Sequence, residues 1–331
     1  MNKHGEFVIS FDFELYWGVR DKRALEDYKE NLIGVNDAIP QMLELFKKYE
    51  IHATWGVVGF IFYNDINQLK LKLVSKKPEY TNSKLSPYKY IDGINSMDEN
   101  ERKMHFALPL IKLIASTENQ EIATHTFSHY YCMEEGQGNE DFKEDLQMAI
   151  SVATNYNIDL RSIIFPRNQC KNEYLNMCRK AGILAYRGNF KKWPYIITTE
   201  NSKSNLQRAL RLVDTYINIF GHKCFNIEEV KVSVPYNIKS SRFLRPYNKK
   251  LSPLEFLRLE RIKGDMRYSA KNRLIYHLWC HPHNLGKNLI ENLTFLEKIL
   301  KYYSKLNKKY NYKSKNMKDI TQELDNIKNQ Q

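Results

Sequence analysis

Residues 6–18 read EFVISFDFELYWG. The first half, Glu6 to Asp12, is a short apolar run rich in β-formers and reads as a buried first strand. The second half places two carboxylates, Asp12 and Glu14, two residues apart. In extended geometry both side chains leave the strand on the same side. A carboxylate pair held out of water is costly unless a cation neutralises it, and a divalent metal would do so. A solvated loop pair or a helix N-cap accounts for the same two residues without one.

Outward from this stretch, strand-like and helical segments alternate. Ala24 to Glu50 has helical periodicity, with Pro40 expected to end or kink the helix. His52 to Phe62 reads as the second strand. Residues 64–105, polar and punctuated by prolines, read as an insertion, a lid or a substrate-shaping excursion. Glu121 to Thr124, Arg161 to Phe165, Ile183 to Arg187 and Arg273 to Trp279 read as further strands, and Asp141 to Tyr156, Asn172 to Ala181, Ser204 to Phe220 and Leu289 to Leu300 as helices. Such alternation predicts βα units and a mostly parallel sheet. Roughly seven strand-like segments fit an incomplete barrel better than a closed eightfold one. The barrel is expected over residues 1–300. Residues 301–331, rich in Lys and Asn, are expected to be a frayed or loosely helical tail.

Three more segments carry chemistry, each where a strand is expected to end, which is where β/α barrels build their active sites. His125 and His129, in HTFSH, have the i, i+4 spacing that puts two imidazoles on one face of a helical turn, able to share a metal. Arg167, after Phe165-Pro166, can pair with a catalytic carboxylate and keep it ionised. A surface arginine in a turn is an equally ordinary reading. His277, His281 and His283 alternate, so along a strand all three would point one way. One such histidine can act as a general acid, and at least one is expected to be structural.

Hydrophobic residues form 42% of the 331, enough for a packed core, and the net charge is +13. That charge favours anionic surfaces or substrates. Much of it lies in residues 237–273, where Arg242, Arg245, Lys249, Lys250, Arg258 and Arg261 interleave with aromatics. No helix-turn-helix, RNP or zinc-finger pattern accompanies it, which argues against nucleic acid. Anionic lipid or a pyrophosphate-linked glycan suits it better. Five scattered cysteines without a CxxC pair predict free, mostly buried thiols. No run approaches the ~18 apolar residues of a membrane span. With no secretory signal pattern at the N-terminus, a cytoplasmic location is expected, peripheral at the inner membrane surface.

Together these segments resemble the polysaccharide deacetylase superfamily (carbohydrate esterase family 4, the NodB homology domain). Ser10-Phe11-Asp12 resembles the opening of its Thr-Phe-Asp-Asp-Gly motif, and His125-Thr126-Phe127-Ser128-His129 its His-[Ser/Thr]-x-x-His motif. Ala53-Thr54-Trp55-Gly56-Val57-Val58-Gly59 looks like its Ala-Thr-Phe-Phe-Val-x-Gly strand, Phe165-Pro166-Arg167 like its Arg/Pro motif, and Leu278-Trp279-Cys280-His281 like its closing Leu-x-His. Two departures stand out. Phe13 occupies the usual place of the metal-binding Asp, with Glu14 the nearest substitute, and Arg167 follows its proline rather than preceding it. The match is better to atypical branches associated with surface-polysaccharide biosynthesis.

The resemblance implies an α/β fold of the incomplete, distorted (β/α)7 barrel type shared by glycoside hydrolases and deacetylases. It implies a hydrolase acting on carbon–nitrogen bonds other than peptide bonds, removing an N-acetyl or O-acetyl group from a carbohydrate, free or carried on an anionic lipid or nucleotide. Glu14, His125 and His129 are the implied ligands of a divalent metal, zinc first, with nickel, cobalt or manganese as alternatives. Asp12 is the implied base, His281 the acid with His283 as a second candidate, and Arg167 the residue orienting Asp12. Tyr16, Trp17 and Trp279 are expected to line the sugar site, or else to be core. An amidase on a non-sugar C–N bond, and a degenerate carbohydrate-binding protein, are the competing readings.

Overall fold

The computed structural model describes residues 4–190, 193–196 and 204–329. Nine strands are present among them: β1 Glu6–Phe13, β2 Ala53–Val57, β3 Gln120–Thr124, β4 Ser162–Ile163, β5 Ala185–Tyr186, β6 Tyr236–Asn237, β7 Arg242–Phe243, β8 Ile275–Cys280 and β9 Lys313–Ser314. Eight form one parallel ladder in the order β6-β5-β4-β3-β2-β1-β8-β7, and β9 pairs parallel with the start of β1. Every residue of β1 is buried. That is the expected state of a central strand in a parallel sheet covered on both faces. Its register sets the site: Asp12 lies opposite Gly56 of β2, and Phe11 opposite Cys280 of β8.

The ladder curls, and its two terminal strands are consecutive in sequence. The chain between them crosses the opening, with Ser240 N–H donating to Gly188 O at 2.9 Å and Ser241 N–H to His277 O at 2.8 Å. The result is an incomplete (β/α) barrel, as expected. Helices Val35–Tyr49, Leu108–Ser116, Asn139–Thr154, Asn172–Lys180 and Glu255–Asn272 precede β2, β3, β4, β5 and β8 respectively.

Three expectations change. Helix Val35–Tyr49 runs through Pro40, and the break falls earlier, at Gly34. There the main chain meets Gly286, whose carbonyl oxygen would lie 2.3 Å from a Cβ on Gly34. Close backbone approach, rather than proline, divides the helices. The insertion 64–105 is packed rather than free: Ile66, Leu69, Val74, Tyr88 and Ile91 join the main core, and the Tyr80 hydroxyl accepts from the Tyr131 N–H at 2.8 Å. It is a fixed wall over the loop that carries His125 and His129.

The segment after residue 300 is no loose tail. Helix Leu289–Tyr310 continues through it, β9 pairs with β1, and helix Met317–Asn329 buries Met317, Ile320 and Leu324 against Val8, Ile164 and Ile275. The i, i+3, i+7 spacing of those three apolar residues builds one helix face inside a Lys- and Asn-rich stretch. Gln330 and Gln331 lie outside the described residues. The cysteines are free, with Cys132, Cys178 and Cys280 buried. Among the described residues no helix is long and apolar enough to cross a membrane.

Candidate metal centre and active site

β1 ends at Phe13. Glu14 leaves extended geometry (φ −124°, ψ −14°), Leu15 takes a positive φ of 46°, and Leu15–Gly18 coils into one 3-10 turn. The turn carries the chain back beneath the Glu14 carboxylate: a Cβ on Gly18 would sit 2.0 Å from its carboxyl carbon. Phe13 packs in the main core. The turn thus presents Glu14, rather than Phe13, at the end of β1.

His125 follows β3. The HTFSH segment is not a helical turn, because Thr126 and His129 have φ of 65° and 60°. The irregular loop is held by Asp145, which accepts from the N–H groups of Phe127 (2.7 Å) and Ser128 (3.0 Å). Both imidazoles nevertheless converge on Glu14, with Nε2 of His125 and of His129 at 3.2 and 3.0 Å from the same Oε2.

These three buried side chains fit a metal. Ligand atoms from each lie within 4.8 Å of one another. His125 Nδ1–H donates to Ile164 O at 2.7 Å, which leaves the Nε2 lone pair of the neutral ring facing a carboxylate oxygen. Two lone pairs opposed at that distance call for a cation between them. His129 Nδ1 is buried without a hydrogen-bond partner, and burial pushes this imidazole down to about 4, so it stays neutral and able to ligate. Burial alone would raise the Glu14 carboxyl. The imidazoles around it, His281 first, outweigh burial and hold Glu14 well below the usual range, in the ionised form a ligand needs. Two imidazoles and one carboxylate are a donor set suited to zinc or a neighbouring transition metal.

Asp12 sits beside this set, and the arginine that holds it is Arg187, not Arg167. Arg187 follows β5, is 1% exposed, and forks onto both Asp12 oxygens, with Nη2 to Oδ2 at 2.7 Å. Its Nε donates to Asn168 Oδ1 at 2.8 Å, and its guanidinium lies 4.3 Å over the Trp279 ring. Burial works to raise Asp12, and the Arg187 charge and hydrogen bonds reverse that. Arg167 instead pairs with Asp21 and Glu134 and stacks on Tyr131 at 4.1 Å. The signal for Arg187 was an arginine at the end of a strand-like run.

The three histidines near β8 separate into different roles. His277 lies within the strand and is bound to Ser10 Oγ at 2.8 Å, a structural contact. His281 lies just past the strand end, with Nε2 3.8 Å from Asp12 Oδ2 and 3.5 Å from Glu14 Oε1. Tyr28 OH donates to Asn284 Oδ1 at 3.1 Å, which turns the Asn284 amide so that Nδ2–H meets His281 Nδ1 at 3.2 Å. That contact fixes the His281 ring with Nε2 toward the site. His283 stacks on His281 at 4.9 Å, but burial and the His281 charge push it down to about 3. A group neutral at pH 7 is a poor proton donor, so His283 does not suit the acid's role. Tyr28 and Asn284 carried no sequence signal.

Of the expected sugar-binding aromatics, only Trp279 faces open space beside the site, lining a cavity with His281. Trp17 is fully buried, its indole N–H donating to His105 O at 2.7 Å, and is core. Tyr16 is buried against Tyr90 and His105, with its hydroxyl on Arg23 O at 3.0 Å.

No family model matches the chain, and no curated protein matches it. Solved structures do resemble it in fold. A protein from Mycobacterium smegmatis assigned as a polysaccharide deacetylase is 11% identical, with a TM-score of 0.60 over 99% of this chain and 92% of that one. One from Pseudomonas aeruginosa PAO1 with the same assignment gives 0.52 at 8% identity, over 96% and 89%. Puue allantoinase gives 0.50 at 10% identity, also over 96% and 89%. The barrel is thus of the type found in polysaccharide deacetylases, and at these identities the likeness is one of fold.

Proposed function

We propose that the chain is a metal-dependent hydrolase that removes an N-acetyl or O-acetyl group from a carbohydrate, as part of surface-polysaccharide biosynthesis. One observation carries the reading: a buried Glu14–His125–His129 cluster adjoins a carboxylate clamped by Arg187 and the His281 imidazole, all at the C-terminal ends of barrel strands. The fold shared with proteins assigned as deacetylases supports it.

Glu14, His125 and His129 would hold the divalent ion, zinc first. When bound, such an ion acidifies water and polarises an acyl oxygen. Asp12, kept ionised and oriented by Arg187, accepts a proton from the attacking water. Arg187 remains charged throughout, so Asp12 can take and release that proton without shifting position. His281, in its imidazolium form, delivers its Nε2 proton to the departing amine or hydroxyl and returns to the neutral ring. Trp279 offers an aromatic face to the sugar.

The test is one preparation measured twice. Bound metal, by elemental analysis, should be near stoichiometric and be lost in His125→Ala/His129→Ala. Acetate release from a panel of N-acetylated sugars should vanish with it, and should fall about a thousandfold in Asp12→Asn while metal is retained. Metal without acetate release would favour a binding protein. Turnover of cyclic ureides instead would favour the amidase reading, which the allantoinase likeness keeps in the panel.

A further inference from the structure

Trp279 and His281 also form one wall of a cavity of about 740 Å³. Its lining holds Arg208, Arg211, Lys223, Arg242 and Arg245, and no carboxylate among the described residues. Behind the wall, Lys223, Arg242 and Arg261 share two buried acids, Asp214 and Asp265, with Lys223 Nζ 3.2 Å from Asp214 and Arg242 Nε 2.9 Å from Asp265. Arg242 is 5% exposed, and its Nη2, without a hydrogen bond, lies 3.6 Å from Asp214 Oδ2. Arg211 and Arg245 direct Nε at neutral oxygens, Gln207 O and Thr215 Oγ1. Burial first, then the adjacent Arg242, push Lys223 down to about 7.

The rim has a second peculiarity. Helix Asn205–Val213 buries none of its residues. Leu206, Leu212 and Val213 on it are exposed, as are Ile217 and Ile219 just after it. Arg208 and Arg211 of the same helix line the cavity. Apolar side chains beside guanidinium groups match the boundary between lipid headgroups and acyl chains. A soluble anionic ligand would account for the arginines but not for the exposed leucines.

We propose that this cavity binds the phosphoryl or pyrophosphoryl group of a lipid-linked acetylated sugar, with helix Asn205–Val213 resting on the membrane surface beside it. Guanidinium forks match phosphoryl oxygens in geometry and charge. Phe243 and Trp279 then flank the sugar on its way to His281. The proposal rests on the deacetylase reading of the neighbouring site and narrows it to one substrate class.

Isothermal titration calorimetry with pyrophosphate, farnesyl pyrophosphate and farnesol tests it without turnover. Farnesyl pyrophosphate should bind best and farnesol least. Arg208→Gln/Arg211→Gln/Arg245→Gln should weaken both pyrophosphates about ten- to a hundredfold, and Leu206→Gln/Val213→Gln should weaken farnesyl pyrophosphate alone. The same affinities in His125→Ala/His129→Ala would place the anion away from the metal, so loss of the deacetylase reading leaves this result standing. Equal binding of the two pyrophosphates would overturn the lipid carrier. Binding indifferent to the three arginines, with circular dichroism unchanged, would overturn the site itself.

Discussion

Two charged regions meet at His281 and Trp279, and they are unbalanced in opposite senses. On one side, Asp12 and Glu14 face four imidazoles, His125, His129, His281 and His283, and one guanidinium, Arg187. On the other, five cations line a cavity whose only nearby acids, among the described residues, are shared behind the wall. The first region is compact and its donors converge on one point. The second is wide and its donors are spread. A small, hard charge suits the first and a large, polyatomic one the second. Adjoining sites of opposite demand are what a substrate with a neutral amide and an anionic tail would need.

The comparison can be broken most severely at Arg187, the guanidinium that forks onto Asp12. Arg187→Met leaves Asp12 charged and buried, and should cost about 3–5 kcal/mol in urea unfolding. Adding Asp12→Asn should recover much of that loss. If Arg187→Met alone is harmless, the acidic side does not depend on its clamp.

A test of the basic side comes next. Lys223 titrates near 7 in the fold, because of burial and Arg242, against about 10.4 when unfolded. Between these values the unfolded chain binds more protons, so stability rises with pH there. Wild type should gain up to about 1.4 kcal/mol per unit between pH 7.5 and 9, a slope that Lys223→Met lacks. Parallel slopes would mean that Asp214 already neutralises Lys223.

The smallest expected effect sharpens the acidic side. Gly18→Ala would press a methyl group into the Glu14 carboxylate and should weaken metal binding about ten- to a hundredfold, read by competition with a chelator. Unchanged affinity would mean that Glu14 is not a ligand.

The barrel was legible because β1, β2 and β8 are long apolar runs whose charged residues fall at their ends. Asp12, Glu14, His125, His129 and His281 followed from that position, and the structure brings them together. Arg187 ends a strand-like run just as Arg167 follows one, and no spacing pattern told the two apart; Arg187 is the one the fold carries to Asp12. The i, i+4 argument brought the right histidines together for the wrong reason, since a loop with two positive φ angles does the work assigned to a helix. The C-terminal strand and helix were hidden by composition: lysine and asparagine cover the solvent face while a few spaced apolar residues make the contact. Sequence distance hid Tyr28 from Asn284.

The pairing of β1 with β8 and β9 also constrains how the molecule is made. Glu6 and Phe7 find Ile275, Tyr276, Lys313 and Ser314 only after those residues have left the ribosome. Until then β1 has β2 on one side and an open edge on the other, apolar on both faces. Such an edge invites pairing with another chain. During synthesis that edge is where the nascent protein is most open to mispairing, until its last partners arrive.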